Sequence, residues 1–120
     1  MTKINMKQVT VDVLKSVPEI KKIATDYPSN WTTFPTAIYR TVSKPYQVDA
    51  LGQELQTQWT VTIEIYGTTS LTNIAGSVLD TFGGIGFFGT TKDANTADLK
   101  RVIVEVSAVV DNVTKYVYQK

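Results

Sequence analysis

Histidine and cysteine are central to many catalytic and metal-binding constellations, and this chain contains neither. Ser-His-Asp and Cys-His nucleophile systems are therefore excluded, as is a zinc site of the usual nitrogen and sulfur ligands. No disulfide can form, and the redox compartment is left open. Carboxylate chemistry remains. The 11 Asp and Glu residues are scattered, with no D-x-D or E-x-x-E grouping to set two on one face. Glu64 and Glu105 fall on the more polar side of two predicted strands, where they could meet across a sheet as a general acid and base. The same placement suits two solvated or interface carboxylates, and that plainer reading is preferred. No cofactor is expected.

Residues 83–89, GGIGFFG, contain G-x-G-x-x-G at Gly84, Gly86 and Gly89. In a dinucleotide fold this motif follows a strand and opens a helix, so that backbone N–H groups meet phosphates. Here it follows a predicted helix and leads toward a strand, and no Lys-Ser/Thr pair closes it as a P-loop. A helix cap followed by a turn that exposes Phe87 and Phe88 accounts for it better, and that pair is a candidate contact patch. Trp31, Phe34, Tyr39, Tyr46, Trp59 and Tyr66 could stack the bases of a single-stranded nucleic acid. Only Arg40 and Lys44 are interleaved with them, which favours core and interface roles. Asn30-Trp31-Thr32 and Asn112-Val113-Thr114 match the glycosylation sequon but have consequence only in a secreted chain.

Composition bounds the fold class and does not say what the protein does. The 120 residues suit one domain, and 42% apolar content suffices for a packed core. Twelve basic residues against 11 acidic ones leave a formal charge of +1, without the basic excess usual in nucleic-acid binders. The first residues read as neither a signal peptide nor a membrane span, so a cytosolic product without a membrane partner is expected.

The elements that position these residues follow from periodicity. Met6, Val9, Val13, Val17 and Ile20 recur at helical spacing over about 5–22, with a break near Ser16–Val17 and a second short helical turn from Pro18. Residues 8–13 also alternate in a way that suits a strand. Residues 23–27 read as an edge strand, residues 28–30 as a turn, and Pro35 as the start of a strand over 36–42 that Ser43, Lys44 and Pro45 break or bulge. Residues 48–56 read as a long polar hairpin loop with Gly52 at its tip. Alternation is cleanest over 58–66. Trp59, Val61, Ile63 and Ile65 share one face, while Gln58, Thr60, Thr62, Glu64 and Tyr66 face water or a partner.

Thr68, Thr69 and Ser70 offer N-caps to a helix carrying Leu71, Ile74, Ala75, Val78, Leu79 and Phe82, ended by Gly83 and Gly84. Residues 87–91 read as a short strand, 92–98 as a loop and 100–110 as a valine-rich strand. Asp111–Asn112 then makes a tight turn into a last strand over 113–118. The fold class is α+β: an antiparallel or mixed sheet of about four to five strands with two main helices packed on one face.

The Trp-x-x-Phe-Pro start of a strand at residues 31–35, the strand WTVTIEIYG, the helical segment SLTNIAGSVLDTFGGIGF and a closing long strand ending in Asp111 form a sequence of elements. It resembles the tail-completion, tail-terminator and head–tail joining proteins of long-tailed bacteriophages and prophages. The resemblance covers roughly residues 14–111; the last strand and the β-branched first helix depart from it. It implies a structural, non-enzymatic virion protein that completes or terminates the tail tube and joins tail to head. Such proteins assemble as hexameric rings. The implied partners are further copies of the chain, the tail-tube protein and head connector proteins, with DNA only in transit. The implied location is the virion, with the host cytoplasm as the site of assembly. A ring subunit needs surfaces for its neighbours. The candidates are Leu51, Gly52, Gln53 and Glu54 of the loop, Gln58, Thr60, Thr62 and Glu64 of the strand, and Phe87 and Phe88. The alternative is a small α+β ligand-binding or enzyme domain using the turn at 83–89.

Overall fold

The computed structural model describes residues 4–118. The chain begins in α1 (Met6–Lys15), where the Asn5 side chain caps the helix by accepting from the Gln8 amide at 3.1 Å. Met6, Thr10, Val13 and Leu14 are buried along one stripe, so the helical period prevails over the alternation at 8–13. Thr10 is buried with its hydroxyl paired, donating to the Met6 carbonyl one turn back at 2.8 Å. The helix stops at Ser16 as expected. The second helical turn after Pro18 does not form: residues 16–19 are a turn. The Lys21 and Lys22 amides donate instead to the Pro35 carbonyl, which starts β1 (Lys22–Ala24) earlier than expected.

β2 (Thr36–Val48) and β3 (Glu54–Gly67) form the long hairpin anticipated around residues 31–66. Pro45 does not end β2. The pairing skips between Pro45 and Gln47 and again between Gln47 and Val48, so the strand bulges and continues. The expected loop over 48–56 shrinks to residues 49–53, since Val48 pairs with Glu54 and Gln47 with Gln56. α2 (Thr72–Gly84) buries Ile74, Ala75, Val78 and Phe82. None of Thr68, Thr69 and Ser70 caps it. Leu71 holds the cap position without a side-chain bond and is itself buried in the core. β4 (Phe88–Asp93) and β5 (Lys100–Asp111) follow. The last predicted strand contracts to β6 (Val117–Tyr118). The Asp111 carboxylate accepts from the Val113 and Thr114 amides at 2.8 and 2.9 Å, which holds residues 112–114 in a turn.

The sheet runs β1-β2-β3-β5-β4, and β6 pairs with β5 beyond the end of β4. β1 lies parallel to β2 while the other pairs are antiparallel, so the sheet is mixed. Val61, Ile63 and Ile65 sit opposite Val106, Val104 and Val102 on one face, and both helices pack there. The protein is an α+β domain with two helices on one side of its sheet. No helix among the described residues is long and apolar enough to cross a membrane.

Candidate assembly surface

Beyond Gln56 the β2–β3 hairpin outruns the rest of the sheet, because β5 pairs with β3 only between Gly67 and Gln56. Its base is tied down by Asn112, which is 2% exposed. The Asn112 side-chain amide donates to the Glu54 carbonyl at 3.0 Å and to the Thr57 hydroxyl at 2.9 Å. Thr57 in turn donates to the Glu54 carboxylate. At the tip the Asp49 carboxylate accepts from the amides of Leu51 and Gln53, each at 2.9 Å, and the Asp49 amide donates to the Gln53 carbonyl. Gly52 completes the turn at φ +84. The tip is therefore a hydrogen-bonded turn, and it presents Leu51 with 91% of its surface in solvent. Val42, Tyr46 and Val48 on the adjoining strand are also exposed.

Among the described residues the outer edge of β2 is paired at Thr36, Ala37 and Ile38, with β1. Among the described residues the rest of that edge carries no neighbouring strand, as does the outer edge of β4. Lys44, Pro45 and the bulges lie along the β2 edge, and such features restrain indiscriminate strand pairing.

The opposite end of β2 and β3 is covered by aromatic rings. Residues 25–35 fold across the face away from the helices, stacking Trp31 on Phe34 (6.1 Å, 7° between planes) and tilting it against Tyr66 at 4.6 Å. Tyr27 meets Tyr66 edge-on at 6.2 Å. This corrects the expectation that Tyr66 faces water or a partner: it is 5% exposed, because the chain doubles back over it. Burial pushes the Tyr66 hydroxyl's pKa up, and the Arg101 hydrogen bond opposes that shift. Trp31, Phe34 and Tyr66, with Thr96, Asp98 and Leu99 from the loop before β5, line an open groove of about 390 Å³.

Among the sequence-derived candidates, Gln58, Thr60, Thr62 and Glu64 share the face away from the helices and are partly exposed. Glu64 and Glu105 lie on that face but are not opposed: Glu64 pairs with Ile103 and Glu105 with Thr62. Glu64 is also occupied, accepting from the Tyr27 hydroxyl at 2.7 Å and the Tyr66 hydroxyl at 3.2 Å, with the Arg40 guanidinium 3.9 Å away. Glu105 accepts from Thr62 at 3.4 Å. A shared proton between the two carboxylates has no geometric support. Among the described residues no group of three acidic side chains could hold a metal.

Phe87 is a correction. It is 1% exposed and packs against Phe82, so it belongs to the core and not to a surface patch; Phe88 alone remains exposed. The glycine motif has backbone reasons. Gly84 ends α2, and Gly86 turns the chain at φ +90. Gly89 lies so close to β5 that a Cβ would stand 1.7 Å from the Glu105 carbonyl oxygen. Among the described residues strands, and no helix, follow these glycines, unlike the strand-to-helix setting of a dinucleotide-binding motif.

The residues that sequence reasoning missed are those of the groove. Thr96, Asp98 and Leu99 sit 30 or more positions from the aromatics they join. Trp31 and Phe34 were visible as large apolar residues, but nothing in their spacing indicates the strand end they cover. The chain matches no protein-family model, and no curated protein matches it either.

Proposed function

We propose that this protein is a non-enzymatic structural subunit of a long-tailed phage or prophage. It assembles into a ring, of hexameric type, that completes or terminates the tail tube and joins tail to head. The observation that carries the assembly reading is the β2–β3 hairpin: a braced ribbon whose apolar tip residue, Leu51, projects into solvent. Large apolar side chains presented together on an ordered projection suit burial against a partner. The one-sided α+β sheet and the order of its elements agree with the resemblance to tail-completion and head–tail joining proteins. In this reading the partners are other copies of the chain, the tail-tube protein and head connector proteins, and DNA passes without being read.

Light scattering on the purified protein, alone and with isolated tail tubes, tests the proposal. A discrete oligomer that binds tube ends is expected. A strictly monomeric protein at high concentration that ignores tail tubes overturns it. In the parent phage, loss of the gene should leave heads and tails unjoined.

A further inference from the structure

Parallel neighbours in a sheet need a crossover between them, and here the crossover is neither helix nor strand. β1 runs beside β2 with Lys22 opposite Thr36 and Ala24 opposite Ile38, so residues 25–35 leave the sheet next to Ile38 and return to it at Thr36. The two ends are fixed close together, and the stretch between them can move without displacing either strand. Residues 26–34 make no backbone–backbone hydrogen bond among the described residues. The facing wall of the groove is built differently. In the loop before β5 the Ala94 amide donates to the Arg101 carbonyl and the Thr96 amide to the Leu99 carbonyl, each at 2.9 Å.

Side chains hold residues 25–35 down. The Tyr27 hydroxyl donates to the Glu64 carboxylate at 2.7 Å. The Arg40 guanidinium lies 5.5 Å from the centre of the Tyr27 ring and 3.9 Å from Glu64. Trp31 leans on Tyr66 at 4.6 Å and stacks on Phe34. Ile38 and Tyr66 are buried on this face, yet neither belongs to the apolar core under the helices. Among the described residues that core takes no side chain from 25–35, so it is complete without them.

We propose that residues 25–35 are a strap that opens from the sheet as a unit while the sheet and both helices stay folded, and that the Tyr27–Glu64 hydrogen bond is its latch. Segments with few backbone hydrogen bonds and few core contacts open at lower free energy than the core they lie on. Opening removes the Trp31 and Phe34 wall of the groove and bares Tyr66 and Glu64. The partly exposed surface of Gln58, Thr60 and Thr62 then extends to the end of β3. The closed strap withholds that end of the sheet face. This goes beyond the assembly reading and does not depend on it.

The two tryptophans report on the two parts separately. Trp31 is in the strap, whereas Trp59 is in β3 and packs against the core on the helix side. Protein labelled with fluorotryptophan should give one fluorine NMR resonance for each, assigned with Trp31→Phe. In a urea titration Trp31 should leave its native shift at lower urea than Trp59, because separate opening of one segment breaks the coincidence of a two-state transition. Tyr27→Phe removes the latch hydroxyl and keeps the ring. It should raise the ratio of open to closed strap a few-fold to about tenfold, the factor for one hydrogen bond of modest net strength, and move the Trp31 transition further than that of Trp59. Coincident transitions of both tryptophans in the wild-type protein would mean that strap and sheet unfold together, and they overturn the proposal. Separate transitions that Tyr27→Phe leaves in place overturn the assignment of Tyr27 and Glu64 as the latch.

Discussion

At the scale of single residues, the backbone explains more than the chemistry does. Gly89 is held against the β5 backbone, and any side chain there must push β4 away. Gly89→Ala should cost at least the ~1–3 kcal/mol usual for overpacking, read as a lower urea midpoint at unchanged slope. Phe87→Ala should cost about 3–5 kcal/mol, the range for emptying a buried phenylalanine site. Were Phe87 a surface contact, its loss would leave stability nearly unchanged and weaken assembly instead.

Asp111 gives a pH prediction. The backbone amides of Thr114 and Val113 stabilise its carboxylate and hold its pKa below the ordinary value. A carboxyl group with a depressed folded-state pKa adds stability above its unfolded pKa, near ~4, and loses it as pH falls through the folded value. Wild type should therefore exceed Asp111→Asn in urea midpoint at neutral pH. The gap should narrow below about pH 4. A gap that is constant with pH would show that the carboxylate's charge is not what holds the turn.

At the scale of elements, the hairpin depends on a residue from outside it. Asn112 follows β5, yet its side chain satisfies the Glu54 carbonyl and the Thr57 hydroxyl at the hairpin's base. Asn112→Ala leaves buried polar groups unpaired, at a cost of about 1–3 kcal/mol. Hydrogen exchange should accelerate first in β3 near residues 54–58. Uniform acceleration across the sheet would indicate global destabilisation without local loosening. Both strands of the hairpin were legible because alternation over 58–66 has period two and Gly52 is a turn residue. The turn length was not, since Gln47, Val48, Glu54 and Gln56 pair through bulges that disguise strand as polar loop. The last segment failed for a similar reason: Asp111 captures two backbone amides and converts residues 112–114 into a turn despite their alternating pattern.

At the scale of the whole molecule, an elongated domain carries an apolar tip at one end and an aromatic groove at the other. Charge placed in the tip should separate assembly from folding. Gln53→Lys, on an exposed side chain, should change stability by no more than ~0.5 kcal/mol while reducing oligomer mass in light scattering. Normal assembly together with a lowered melting midpoint would make the tip a purely structural feature.

The sequence by itself determined the exclusions, the two amphipathic helices and the faces of β3 and β5. Those depend on residue type and on periods of 2 and 3.6, which are local properties. Only the tertiary structure decided that Tyr66 is buried, that Phe87 is core and that Glu64 is engaged by Tyr27 and Arg40. It alone brought residues 96–99 beside Trp31 and Phe34 to form the groove. Each of these outcomes depends on a loop crossing a strand end far away in the chain. Residue spacing carries no information about where such a loop will land.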